Sequence, residues 1–218
     1  MYTHPAFQTD RTASLAFAAD RGFGLVIACT ARTPLASPLP FHLDYSADGT
    51  PRVKFHVARA NALATLAADG DSWMVAVMGA DAYVSPDWYA SPDQVPTWLY
   101  LSVHLTGPVR PMTDGELARH LDELSEKFEQ RLAPKPVWKL DKVAPARRKN
   151  LMRAILGIEM RVETVEGSFK LNQHKSDADH IAIAGALAAQ NEPAALALSK
   201  RMIAMRPHLT YEHAEAAA

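Results

Sequence analysis

The chain has 218 residues, 48% hydrophobic and 22% charged, with 4 Trp, 6 Tyr and 7 Phe. At roughly 150 residues per domain it is most economically one domain, and this composition excludes disorder throughout. Its 23 basic and 24 acidic side chains leave a formal charge of -1, so no global positive field draws nucleic acid or a lipid surface; any such contact needs a local patch.

The single cysteine, Cys29, cannot form an intramolecular disulfide or a thiolate metal cage. The N-terminus lacks the basic start and apolar core of a signal peptide, and no apolar run approaches the ~20 residues of a bilayer span. The expectation is a soluble cytoplasmic protein without a membrane partner.

In chain order, Thr9 to Asp20 predicts a short helix capped by Asp10 and closed at Gly22. Gly24–Thr30 and Leu35–Leu43 read as strands, the second carrying Pro38 and Pro40, with Cys29 taken as core. Asp48-Gly49 turns the chain into Arg52–Val57, whose alternation puts Val53, Phe55 and Val57 on one face, Lys54 and His56 on the other. Ala58–Ala68 predicts a helix. Trp73–Met78, Ala82–Ser85 and Trp98–Leu105 read as three strands, with a proline-punctuated loop over 85–92.

Thr113 and Glu116 form a capping box ahead of Leu117, Leu121, Leu124, Phe128 and Leu132 at helical spacing. A second helix is expected from Pro145, burying Leu151, Met152, Ile155 and Leu156 and stopping at Gly157. Ile158–Glu163 and Ser168–Leu171 read as strands turned at Glu166-Gly167, and two helices follow, one capped by Ser176 or Asp179 and one opened by Pro193. About eight short strands joined by turns favour an α+β class, mainly β: an antiparallel barrel with helices at both ends of the chain and a helical insertion. The domain is expected to span 1–210, with 211–218 a frayed tail.

No metal is expected: although the chain has 9 His, there is no His-Glu-x-x-His, and His174 and His180 are spaced for different helix faces. No nucleophile elbow, Walker loop or Gly-x-Gly-x-x-Gly turn occurs, and the catalytic residues stay unknown. A more promising set lies at strand ends. Ser37-Pro38-Leu39-Pro40 offers a hydroxyl and an irregular extended backbone that can bond a flat heterocycle. His56, Arg59, Ala60 and Asn61 bring a cation and an amide to a strand-to-helix junction that suits a phosphate. Trp88, Tyr89, Trp98 and Tyr100 add aromatic surface, and Lys170, Asn172 and Gln173 end a strand with a cation and two amides. The basic run Lys135–Arg153 reads as a solvated face paired with Glu123, Glu126 and Glu129, the alternative being a contact with nucleic-acid phosphates.

These blocks, together with Met1-Tyr2, Pro5 and Phe7, Tyr83–Tyr89, Val95–Trp98, Val103-His104 and Phe169–Gln173, resemble the PaiB family, in order and to about residue 206. The resemblance implies a split barrel similar to pyridoxamine-phosphate oxidases and flavin reductases, an FMN-binding homodimer, and a role as a negative transcriptional regulator that meets DNA. It implies the FMN phosphate near Arg59 and Asn61, the ring near Ser37 to Pro40, and a pocket completed by Lys170, Asn172 and Gln173, from the partner chain if the site is shared. The sequence departs from the family at Trp98-Leu99-Tyr100 and Asn172-Gln173-His174. Two rivals stay open: a flavin-dependent oxidoreductase with His56 or His104 as base, and a haem-binding split barrel with His174 as axial ligand.

Overall fold

In the computed structural model the described residues are 1–211 and gather into two compact units. One comprises Met1–Arg11, Met78–Val103 and the chain from Glu166; the other comprises Thr12–Val77 and His104–Val165. In chain order the elements are β1 (Gln8–Thr9), α1 (Arg11–Arg21), β2 (Phe23–Cys29), β3 (Pro34–Tyr45), β4 (Pro51–Ala58), α2 (Leu63–Leu66), β5 (Ser72–Val84), β6 (Thr97–Pro111), α3 (Asp114–Gln130), α4 (Pro145–Arg153), β7 (Ile155–Arg161), β8 (Thr164–Lys170), α5 (Asp177–Ala189) and α6 (Pro193–Met205). The eight strands pair in the antiparallel order β1-β8-β6-β5-β2-β3-β4-β7, and an added β6–β7 pairing closes a six-strand ring.

The second unit owes its core to period-2 alternation. Val53, Phe55 and Val57 of β4 are buried, as are Phe41 and Leu43 of β3 and Ile158 and Met160 of β7. Each such side chain contributes about 1.5–3 kcal/mol when fully buried. Closure needs Gly107: a Cβ there would lie 1.8 Å from the Arg161 carbonyl oxygen, so only glycine lets β6 pass so close.

The other face of β3, β4 and β7 is covered by α3, which buries Leu117, His120 and Leu124. Its capping box forms as expected, Thr113 accepting from the Glu116 amide while the Glu116 carboxylate accepts from the Thr113 amide. Arg110 forks onto the same carboxylate and, with the Thr113 amide, holds Glu116 down at about 2.

In the first unit β1 pairs with β8, and α5 packs on α6 through Ile183, Leu187, Leu198 and Met202. Two buried polar groups pin these helices: Ser199 Oγ donates to the Ala184 carbonyl at 2.8 Å, and His180 Nε2 lies 2.8 Å from the Met202 carbonyl. His180 is therefore a structural histidine.

Several sequence expectations need correction. Ser72–Val84 is one strand where two were expected, and the two-residue β1 restores the number to eight. Residues 58–68 hold only the one-turn helix α2, because Ala58 completes β4 and turns occupy 59–62. Helix α4 ends at Arg153 with no buried residue; Leu151 is exposed, while Ile155, Leu156 and Gly157 belong to β7. Glu166 and Gly167 lie inside β8, not at a turn. Cys29 is exposed, because inward Val26 and Ala28 set the alternation that turns it out. Of the expected frayed tail, 212–218 lies outside the described residues.

Candidate functional site

The sequence-predicted residues fall into two groups, one in each unit. In the second unit, β3 changes partner midway: Pro34–Pro40 pair with β2, whereas the β4 ladder covers Phe41–Tyr45. Pro38 and Pro40 sit in the half without a β4 partner, where a missing N–H costs no ladder bond. Ser37, Leu39 and Pro40 are half-buried and Pro38 exposed.

The β4–α2 turn meets this segment. Asn61 Nδ2 donates to Ser37 Oγ at 3.0 Å, and Asn61 Oδ1 accepts from the Leu63 amide at 2.9 Å, an Asx turn leading into the short helix. Arg59 Nε donates to the Arg153 carbonyl at 2.9 Å while its exposed guanidinium makes no ion pair with a described carboxylate. Ala60 is exposed beside it. Hydroxyl, amide, unpaired cation and a half-free strand form a donor set that fits FMN: cation and amide for a phosphate, strand backbone for a ring edge.

His56 is placed differently from the expectation. Its Nδ1 lies 3.2 Å from Nε2 of His120 beneath α3, so one ring donates and the other accepts. Burial, with His56, His42 and Lys54 adding positive charge, pushes His120 down to about 3; burial alone lowers His56. His56 is thus tied to a neutral buried pair, and His120 was missed because its register in α3 reads as one more helix position.

In the first unit, Lys170 Nζ donates to Thr97 Oγ1 at 2.6 Å and stands 5.7 Å from the Phe7 ring centroid. Asn172 is buried at φ 57°, a left-handed conformation that asparagine tolerates, and its Nδ2 donates to Tyr89 Oη at 3.1 Å. These residues line a cavity of about 340 Å³ with His4, His174 and Lys175. Gln173 is turned to the backbone, accepting from the Leu171 amide at 2.8 Å and donating to the Phe169 carbonyl, so it acts as a local brace. His174 is exposed, packs on Phe7 and is lowered by burial and by Lys175, His4 and Lys170. Trp98 is 54% exposed and edge-on to Tyr83 at 6.1 Å.

A cluster absent from the sequence reading also emerges. His42, Asp44 and Glu123 offer ligand atoms within 4.8 Å of one another, but Lys54 Nζ lies 2.5 Å from Asp44 Oδ2 and already supplies the positive partner. Among the described residues no helix is long and apolar enough to cross a membrane.

A family model described as "Putative FMN-binding domain" matches residues 1–164. The "Protease synthase and sporulation protein PAI 2" of Bacillus subtilis (strain 168) is 27% identical over 186 residues, covering 85% of this chain and 88% of that protein. Two solved structures share the fold: the FAD and Heme binding protein from Mycobacterium smegmatis (TM-score 0.54, 17% identity, 75% of this chain and 73% of that one) and the Flavocytochrome Anf3 from Azotobacter vinelandii (TM-score 0.52, 15% identity, 75% and 69%). At these identities the likeness shows the fold alone, a split barrel.

Proposed function

Because the chain belongs to the FMN-binding family whose model spans residues 1–164, with FMN as its cofactor, we propose that it holds FMN at the Ser37–Arg59–Asn61 corner and acts as a flavin-dependent negative regulator of transcription. The carrying observation is the Arg59 guanidinium, exposed at the β4–α2 turn and in no ion pair with a described carboxylate, beside the fixed Asn61–Ser37 pair. In this reading Arg59 and Asn61 hold the phosphate, with Ala60 between them, and the backbone of Ser37, Pro38, Leu39 and Pro40 borders the ring. Bound FMN supplies electron-transfer chemistry. The protein's part is to bind and orient it.

The protein acts as a homodimer in the cytoplasm, and Lys170, Asn172 and Trp98 of the partner chain complete the pocket. Exposed Met78, Tyr83 and Trp98 in the first unit support a subunit contact. The regulatory role is carried by the PaiB resemblance, in keeping with the Bacillus relative described as a protease synthase and sporulation protein. The test is an absorbance spectrum of the purified protein followed by FMN titration. A flavin spectrum or saturable binding is expected, and neither would overturn the cofactor site. The transcriptional half is read from cellular transcripts, which should be derepressed by Arg59→Ala and unchanged if the flavin plays no regulatory part.

A second reading, an oxidoreductase acting on a small substrate, is favoured by the 340 Å³ cavity at Lys170 and His174. It predicts bleaching of the bound flavin by NADH. The haem reading would put His174 on the iron and is tested by a Soret shift with haemin.

A further inference from the structure

Helix α4 inverts the usual arrangement of a packed helix. Residues 145, 148, 149, 152 and 153 recur at the i, i+3, i+4, i+7, i+8 spacing that normally carries an apolar stripe. Here the stripe carries Arg148, Lys149 and Arg153, with Met152 the one aliphatic side chain past Pro145. It does not face a hydrophobic neighbour but lines an open cavity of about 620 Å³, whose remaining walls include Arg59 and Asp114.

The expected pairing of this basic run with helical acids forms at its start, between Lys135 and Glu129, but not along α4. Glu129 is held by Lys135 and by the Trp138 amide, and none of Arg147, Arg148, Lys149 or Arg153 makes an ion pair with a described carboxylate. Four like charges around one cavity repel one another, and an anionic ligand relieves this. The Arg59 Nε bond to the Arg153 carbonyl fastens the cavity to the corner assigned above to the flavin phosphate.

The one carboxylate narrows the ligand. Asp114 stands in the first turn of α3 and lines the same cavity, and an acid there repels a continuous polyanion. A carboxylate does suit a ribose diol, as acidic side chains do in dinucleotide sites. Cations for phosphates, an acid for vicinal hydroxyls and a methionine for a base face make a ribonucleotide set.

We propose that this cavity binds the adenosine diphosphate half of a dinucleotide. That half could belong to FAD, entering as one extended flavin, or to a nicotinamide dinucleotide bound beside FMN. The assignment goes beyond the FMN site and rests on that reading only for the meaning of its junction at Arg59.

The experiment is calorimetric titration of the full chain with ADP, with 2′-deoxy-ADP and, separately, with FMN. Saturable ADP binding is expected, weakened in Arg148→Ala/Lys149→Ala by about tenfold or more per lost charged hydrogen bond, with FMN affinity unchanged. Asp114→Asn should abolish the preference for ADP over its 2′-deoxy form. FAD binding tighter than FMN, by a margin lost in the double variant, supports the extended flavin. Nicotinamide dinucleotide binding with FMN already saturating supports the separate ligand. No ADP binding by the wild-type chain overturns the proposal whatever FMN does, whereas ADP binding without FMN binding leaves it standing and removes the flavin corner. Salt-dependent binding of duplex DNA that the double variant loses and ADP does not displace overturns it in favour of a nucleic-acid face.

Discussion

Asn61 Nδ2 donates to Ser37 Oγ at 3.0 Å, so the turn after β4 is fastened to a strand 24 residues earlier, and the Oδ1 of the same side chain accepts from the Leu63 amide. Asn61→Ala loses both bonds and should lower stability by about 1–3 kcal/mol, at about 0.5–1.5 per hydrogen bond, while weakening FMN binding. Asn61→Asp keeps an acceptor for the Leu63 amide but sets a negative charge beside the phosphate corner. Thermal melting should place it near wild type, and FMN titration should show the loss.

Arg59→Ala should weaken FMN by about 1.5–3 kcal/mol, the range of a hydrogen bond to a charged group. Flavin fluorescence on titration measures it, and unchanged affinity would remove the phosphate from this corner.

Acid should loosen the second unit through its buried histidine pair. The unfolded chain protonates His120 near pH 6.5, whereas burial keeps the folded ring neutral to about 3. The unfolded state therefore binds more protons in that window, so stability is full above pH 6.5 and falls as pH drops toward 3, by about 1.4 kcal/mol per pH unit for this group. His56, shifted the same way, steepens the fall. Melting curves from pH 7 to 4 should show it, and His120→Leu should flatten the slope.

Gly107→Ala should be among the most destabilising single-methyl changes. Its Cβ would meet the Arg161 carbonyl oxygen at 1.8 Å, and backbone cannot yield as a side chain can. A loss at or above the about 1–3 kcal/mol of ordinary overpacking is expected in urea denaturation, with the β6–β7 amides losing exchange protection.

Asn172→Ala should cost about 1–2 kcal/mol through its left-handed backbone, before the lost bond to Tyr89 is counted. Asn172→Gly isolates the side chain's part, since glycine takes φ 57° without strain. If the two variants melt alike, the conformation carries no cost.

Local chemistry made much of the fold legible. The alternation of Val53, Phe55 and Val57 and the Thr113–Glu116 box are written in neighbouring residues and formed as read, and of the two caps offered for α5, Ser176 and Asp179, the helix takes Ser176. Errors arose where distant chain decides. The break expected at 79–81 is absent: the strand that pairs with β2 at Met74–Ala76 runs on to Val84. Leu151 and Met152 look like a core stripe, but Leu151 is exposed and Met152 only half-buried, and Ile155 to Gly157 are drawn into β7 by the ladder to β4.

The candidate site divides along the same line. Residue type and spacing alone determined that a cation and an amide follow β4 and that prolines interrupt β3, because strand ends and missing N–H groups are local facts. Only tertiary structure decided that Asn61 reaches Ser37, that His56 is spent on His120, and that the cations of α4 line one cavity with Arg59 and a single carboxylate, Asp114. Those outcomes depend on which surfaces meet across long stretches of chain, and meeting is set by packing and desolvation rather than by sequence neighbours.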